Sequence, residues 1–157
     1  MEFAPEIGYD MATEDTAMTD LENRIWKILG RQQTAALATV TAEGTPWVRY
    51  VTVEADKTFT LRFCTSLASR KARHIAHNPE VHLTCGNLQP PDDSAFVQIA
   101  GRAEIRGDEK TKAAHWQESW RRYFQGPEDP DYIMVFVYPY IIEYNGPDAA
   151  TTETWKK

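Results

Sequence analysis

Two alternating runs rich in β-branched residues, Ala35–Thr41 and Trp47–Glu54, are joined through the turn sequence Glu43-Gly44-Thr45-Pro46. A connection that short leaves no room for a helical crossover, so the runs must pair antiparallel as a hairpin. Ala55-Asp56-Lys57 then turns into a third run, Thr58–Thr65. Its Phe59, Leu61 and Phe63 share one face by the two-residue period of strands. Val81–Cys85, Ala95–Ile105 and Tyr132–Tyr144 supply three more runs rich in apolar and β-branched residues. Six strands with short hairpins, and helices inserted between them, specify a mainly β chain with added α. The expected architecture is a six-stranded antiparallel barrel and not a parallel βαβ sheet.

Three helices fill the gaps. Thr19 and Glu22 form a capping box, and Leu21, Ile25, Ile28 and Leu29 follow at helical spacing up to Gly30. Ser69–His77 carries Ala72, Ile75 and Ala76 on one face and stops at Asn78-Pro79, because proline disfavours helix in the residue before it. Asp108 caps a third helix expected to reach about Phe124, with Ala113, Trp116, Trp120 and Phe124 as a stripe. Such a stripe usually packs into a core or a subunit contact, and Trp116 is the candidate for contact with a second subunit. The Gly86–Ser94 segment, with Pro90-Pro91, reads as a loop.

At 157 residues the chain has the size of one domain with one core. The pattern divides it into a flexible acidic leader over 1–17, the folded domain over 18–146 and a polar tail over 147–157. With 42% hydrophobic and 25% charged residues it is a globular composition, and no apolar run approaches the roughly 20 residues of a membrane span. The leader's Glu2, Glu6, Asp10, Glu14 and Asp15 do not resemble a signal peptide, so a cytoplasmic location is expected. A net charge of −6 repels a phosphate backbone, which argues against nucleic acid as a partner. Cys64 and Cys85 form no disulfide framework and no metal pattern; both read as buried thiols.

Against that acidic background, Arg62, Arg70, Lys71, Arg73, His74 and His77 crowd into sixteen residues. Within them, Thr65-Ser66-Leu67-Ala68-Ser69-Arg70-Lys71 ends a strand in two hydroxyls, turns, and starts a helix at a serine backed by two cations. A helix start offers unpaired N–H groups and a partial positive charge, so a phosphate fits there beside hydroxyl donors and an Arg fork. Taken alone, Ser69 serves equally as a cap, with Arg70 and Lys71 as solvated charges. Arg49, in mid-strand between Val48 and Val51, needs either water or an anion. His74, His77 and His82 lack a carboxylate at ligand spacing, so no metal is expected.

The series Arg49-Tyr50-Val51, then Cys64-Thr65-Ser66-Leu67-Ala68-Ser69-Arg70-Lys71-Ala72, Ile75 and Asn78-Pro79 resembles the FMN signature of the pyridoxamine 5'-phosphate oxidase superfamily. The hairpin Ala36–Val40 with Gly44-Thr45-Pro46 and the strand Val97–Glu104 are similar to general-stress-protein 26-like members. The resemblance implies an FMN-binding split barrel and a homodimer with cofactor sites between subunits. It implies that Arg49, Tyr50 and Val51 line the flavin, that Cys64, Thr65 and Ser66 lie against it, and that Ser69, Arg70 and Lys71 hold its phosphate. Phe96 stands where the family places a glutamine, which makes Gln98, on the same face, the substitute candidate; Trp116 joins the cofactor-binding set. The implied function is an oxidoreductase moving electrons between FMN and a small organic substrate, with no evident catalytic acid or base. The alternatives are a flavin-binding stress or sensor protein without turnover, and the same fold holding FAD or a deazaflavin. Haem, also found on this fold, would require an iron ligand. The oxidases end with a Trp and a later Arg, whereas the last strand here ends Ile142-Glu143-Tyr144-Asn145, which argues against vitamin B6 oxidation.

Overall fold

The computed structural model describes residues 17–86, 94–147 and 152–157. Residues 1–16 of the leader expected over 1–17, and most of the Pro90-Pro91 loop, lie outside the described residues. Helix α1 (Asp20–Leu29) opens the domain under its capping box: Thr19 Oγ1 accepts from the Glu22 N–H, and Glu22 Oε2 accepts from the Thr19 N–H at 2.8 Å. Strands β1 (Gln33–Val40) and β2 (Pro46–Ala55) form the expected hairpin, with Leu37 opposite Arg49. β3 (Leu61–Ser66) follows, then α2 (Arg70–His77), β4 (Glu80–Gly86) and β5 (Phe96–Arg106). Helix α3 (Glu109–His115), β6 (Tyr132–Asn145) and β7 (Thr152–Lys156) complete the chain.

The strands run in the order β3-β2-β1-β4-β5-β6, and pairing of β3 with β6 closes them into the expected six-stranded antiparallel barrel. Leu37, Val53, Leu61, Leu83, Val97, Ile99, Val135, Val137 and Ile142 alternate inward to fill it, and Ile25, Ile28 and Leu29 of α1 pack onto the same core. β6 is fourteen residues long and bonds β5 along nearly all of it, with a register shift where Gly101 faces Pro139. Proline cannot donate to a ladder, and the shift lets the sheet bend there. A Cβ on Gly101 would lie 2.8 Å from the Tyr138 carbonyl oxygen, so only glycine allows that approach.

Three features differ from the sequence expectation. The third strand starts at Leu61, not Thr58: Asp56 Oδ1 accepts from the Thr58 and Thr60 N–H groups and Phe59 adopts φ 63°. That left-handed backbone is unfavourable for an aromatic residue and is held by burial of the ring. The third helix ends at His115, because Trp116 and Gln117 are extended, and a separate 3-10 turn covers Glu118–Arg122. Trp116, Trp120 and Phe124 instead wrap Tyr132, with ring centroids 5.3, 5.7 and 5.3 Å from it. This tertiary cluster overrides the helical period.

The polar tail contains the third difference, a seventh strand. β7 pairs with the second half of β6. Its Glu153 takes both Nη groups of Arg24, and Trp155 packs edge-on against Phe59 while donating to Glu22 Oε1 at 3.1 Å. The C-terminal strand thereby ties α1 to the β2–β3 turn. Trp155→Ala should lower the unfolding free energy by about 2 kcal/mol in urea titration, whereas Glu153→Gln, which weakens a half-exposed ion pair, should cost under about 1 kcal/mol.

Candidate functional site

The strand period sorts β2 into two faces. Arg49, Val51 and Val53 point inward, while Val48, Tyr50 and Thr52 face out. Arg49 therefore enters partly apolar surroundings as a cation. Its Nη1 donates to the Leu37 carbonyl at 3.1 Å and to Thr39 Oγ1 at 2.7 Å, but its Nη2 is buried and has no partner among the described residues. A buried donor on a charged group without an acceptor is costly, and it marks a place where an anion fits.

The β3–α2 turn lies beside it. Thr65 Oγ1 donates to Ser69 Oγ at 3.3 Å, and that Ser69 oxygen accepts from the Ala72 N–H, capping α2. The turn is pinned from β6, whose preceding residue Asp131 accepts from the Leu67 N–H through its carbonyl at 2.7 Å and from the Ala68 N–H through Oδ1 at 3.2 Å. The first-turn amides of Arg70 and Lys71 have no acceptor within a helix. Arg70 lies over the Trp47 ring, 5.1 Å from its centroid.

Electrostatics agree with an anion site. Burial, then the charge of Arg70, weakens the hold of Arg49 on its proton. Burial, then Arg49, pulls Lys71 below its ordinary value. His74 is lowered by burial and by Arg49, Arg70 and Arg73. These cations depress one another within a chain of net charge −6. Cys64 behaves oppositely: burial pushes its thiol up to about 11, which leaves it un-ionised and a poor nucleophile.

A cavity of about 680 Å³ opens alongside. One wall is Tyr50, Val51 and Thr52 of β2 with Cys64, Thr65, Ser66 and Lys71; the other is Gln117, Ser119, Trp120, Arg122, Tyr123 and Phe124. Glu54 holds that second wall, accepting from Gln32 Nε2 at 2.9 Å, Gln117 Nε2 at 2.8 Å and Arg62 Nη2 at 3.1 Å. The volume suits a flat cofactor-sized molecule with apolar flanks.

Of the residues singled out in the sequence, Tyr50, Val51, Cys64, Thr65, Ser66 and Lys71 line this cavity; Arg49, Ser69 and Arg70 do not line it but lie next to Lys71 and Thr65, which do. Gln98 is not brought there. It sits on β5 between Thr84 and Glu143. Trp116 packs edge-on against Trp120 and Tyr132 and donates Nε1–H to Glu118, so Trp120 and not Trp116 meets the cavity. Sequence reasoning missed Gln32, the Gln117–Phe124 wall and Asp131. The aromatic stripe marked the right segment but as helix. Among the described residues, no group of three or more His, Cys, Asp or Glu side chains could hold a metal, and no helix is long and apolar enough to cross a membrane.

A closed antiparallel barrel with an anion-ready strand–turn–helix on its flank defines the split-barrel class, and residues 21–139 match the family model described as pyridoxamine 5'-phosphate oxidase. The chain belongs to that family. It is 31% identical over 120 residues to general stress protein 26 of Bacillus subtilis (strain 168), spanning 76% of this chain and 84% of that protein. General stress protein 26 of Bacillus anthracis str. Sterne superposes with a TM-score of 0.74 at 27% identity, covering 88% of this chain and all of the other. An FMN-binding protein related to pyridoxamine 5'-phosphate oxidase, from Nostoc punctiforme, shares the fold at TM-score 0.70 and 17% identity, over 88% and 91% of the two chains.

The half-buried Lys71, without a hydrogen-bond or ion-pair partner among the described residues, supplies a direct test of the field at this site. Its proton is held less tightly in the folded chain than at the ordinary value of 10.5, so between those two values the unfolded chain binds more protons and stability rises with pH. Lys71→Met should therefore stabilise the cofactor-free protein at pH 7 by a few tenths to about 1 kcal/mol in urea titration. That gain should shrink as pH approaches 10.5.

Proposed function

We propose that this chain is an FMN-binding flavoprotein acting as an oxidoreductase between FMN and a small organic substrate. The observation that carries the reading is Arg49 Nη2, buried and without an acceptor among the described residues, close to Lys71 in the wall of a cofactor-sized cavity. Arg49, Lys71 and the first-turn amides of α2 would hold the phosphate, with Ser66 and Ser69 as hydroxyl donors. Val51, Cys64 and Phe124 would give the ring system apolar contact, and Trp120 and Tyr123 aromatic contact. A bound flavin supplies the electron transfer; the residues present bind it, orient it and exclude water. Among the described residues, the cavity wall offers no carboxylate–histidine pair for acid–base work, and hydride exchange with a flavin needs positioning above all.

The working form in this reading is a cytoplasmic homodimer with the cofactor between subunits. Trp47, Val48, Tyr50, Leu67 and Tyr123 support it: all five are exposed, Tyr50 to 79% and Val48 to 65%, and Tyr50 and Tyr123 also line the cavity. An apolar collar around a binding site is the expected surface for a second subunit. A dimeric mass in solution at micromolar concentration is the expected result, and a monomer would remove the shared-site arrangement.

The absorption spectrum of the purified protein, followed by titration with FMN, FAD and a deazaflavin under fluorescence, tests the cofactor. FMN should bind most tightly, and Arg49→Ala should weaken it about a hundredfold, as loss of a charge-assisted contact to phosphate predicts. Binding of none of the three would overturn the reading. Reduction of the bound flavin by NAD(P)H, with catalytic reoxidation by an added acceptor, separates an enzyme from a flavin-binding protein without turnover.

A further inference from the structure

Behind Arg49 lies a relay whose members do not line the cavity of about 680 Å³. Thr39 on β1 is 1% exposed, and its Oγ1 stands 2.7 Å from Arg49 Nη1 and 2.9 Å from His74 Nδ1 on α2. A guanidinium can only donate. Thr39 Oγ1 therefore accepts from Arg49 and keeps its own hydrogen to give away. His74 Nδ1 is the near acceptor, since the Trp47 carbonyl is 3.5 Å away. The imidazole faces Arg49 from β2, Arg70 and Arg73 from its own helix and Glu43 from the β1–β2 turn. Burial and the three cations hold it neutral near pH 7, so Nδ1 is available to accept.

We infer that Thr39 and His74 are positioning residues for the phosphate end of the site. The relay from His74 through Thr39 fixes one arm of the Arg49 fork and leaves Nη2 as the arm that meets the anion. This inference rests on the phosphate assignment made above. A flexible arginine would lose side-chain entropy on binding, whereas one already held in place does not, so the relay raises affinity for the phosphate alone.

The test compares FMN with riboflavin, which shares the ring and lacks the phosphate, by fluorescence titration of the full chain. The wild type should prefer FMN. Thr39→Val, close to isosteric, should lose about tenfold or more of FMN affinity while riboflavin affinity stays within about twofold. Thr39→Ser should keep the preference. His74→Ala should behave as Thr39→Val does, and His74→Asn, which places an oxygen near the Nδ1 position, should recover part of the loss. A preference retained in both Thr39→Val and His74→Ala would overturn the relay, as would equal weakening of the two ligands. A wild type with no preference for FMN over riboflavin would instead remove the phosphate assignment itself.

Discussion

The whole arrangement hangs on β6. Its first edge bonds β5 from Met134 to Asn145, and its second edge is divided, Tyr132–Val137 going to β3 and Ile141–Asn145 to β7. The pairing with β3 closes the barrel and abolishes two sheet edges. The same closure sets the site. Asp131, one residue before the strand, pins the Leu67-Ala68 turn, and Tyr132, the first residue in it, is the ring around which Trp116, Trp120 and Phe124 gather. Both walls of the cavity are thus anchored at one strand end. The shift at Gly101 and Pro139 lets a single strand serve the barrel and then turn away to take β7.

A second constraint opposes the first. Folding brings Arg49, Arg70, Lys71, Arg73 and His74 together, and nearly every charge effect resolved among them lowers a cation's pKa. Sites that bind charged ligands concentrate like charge in this way, at a cost in stability that the rest of the fold must offset. Here the offset is a continuous core with many side chains under 2% exposed and a C-terminal strand clasping α1. Arg70 lowers its own cost by spreading over Trp47.

Features set by neighbours in sequence were legible before any coordinates. The capping box at Thr19, the hairpin turn at Gly44 and the Ser69 cap depend on three or four residues each, and all form as read. The strand-to-helix grammar of Thr65–Lys71 suits a plain serine cap as well as an anion site from residue types alone, and the cap is what the fold displays. What could not be read depends on partners far along the chain. Trp116, Trp120 and Phe124 fit a helical period, yet a ring sixteen residues after Trp116 decides their conformation. β7 has one large apolar residue, Trp155, so its strand character comes from pairing with β6 and from Arg24 and Glu22 on α1. Gln98 shows the limit of face logic: parity along β5 says which side a residue takes but not which part of the barrel it meets. The Arg49–Thr39–His74 relay needs β1, β2 and α2 to meet, which no single segment encodes.

The two walls of the cavity differ in kind, and that difference bears on how function is distributed. The β2–β3–α2 wall is regular structure built into the barrel, so its hydroxyls and cations are placed by the same hydrogen bonds that close the sheet. The Gln117–Phe124 wall is a 3-10 turn and its flanks, held by the Tyr132 ring cluster from below and by the Glu54 carboxylate through Gln117. Glu54 also receives Gln32 and Arg62, so one carboxylate joins the segment before β1, two strands and the second wall. Substitutions at Ser119, Arg122 or Tyr123 therefore alter what the cavity presents to a ligand without touching a ladder hydrogen bond or the cationic cluster. Under the proposed function, cofactor capture would then rest on one wall and choice of substrate on the other, as expected where a rigid scaffold carries a variable segment.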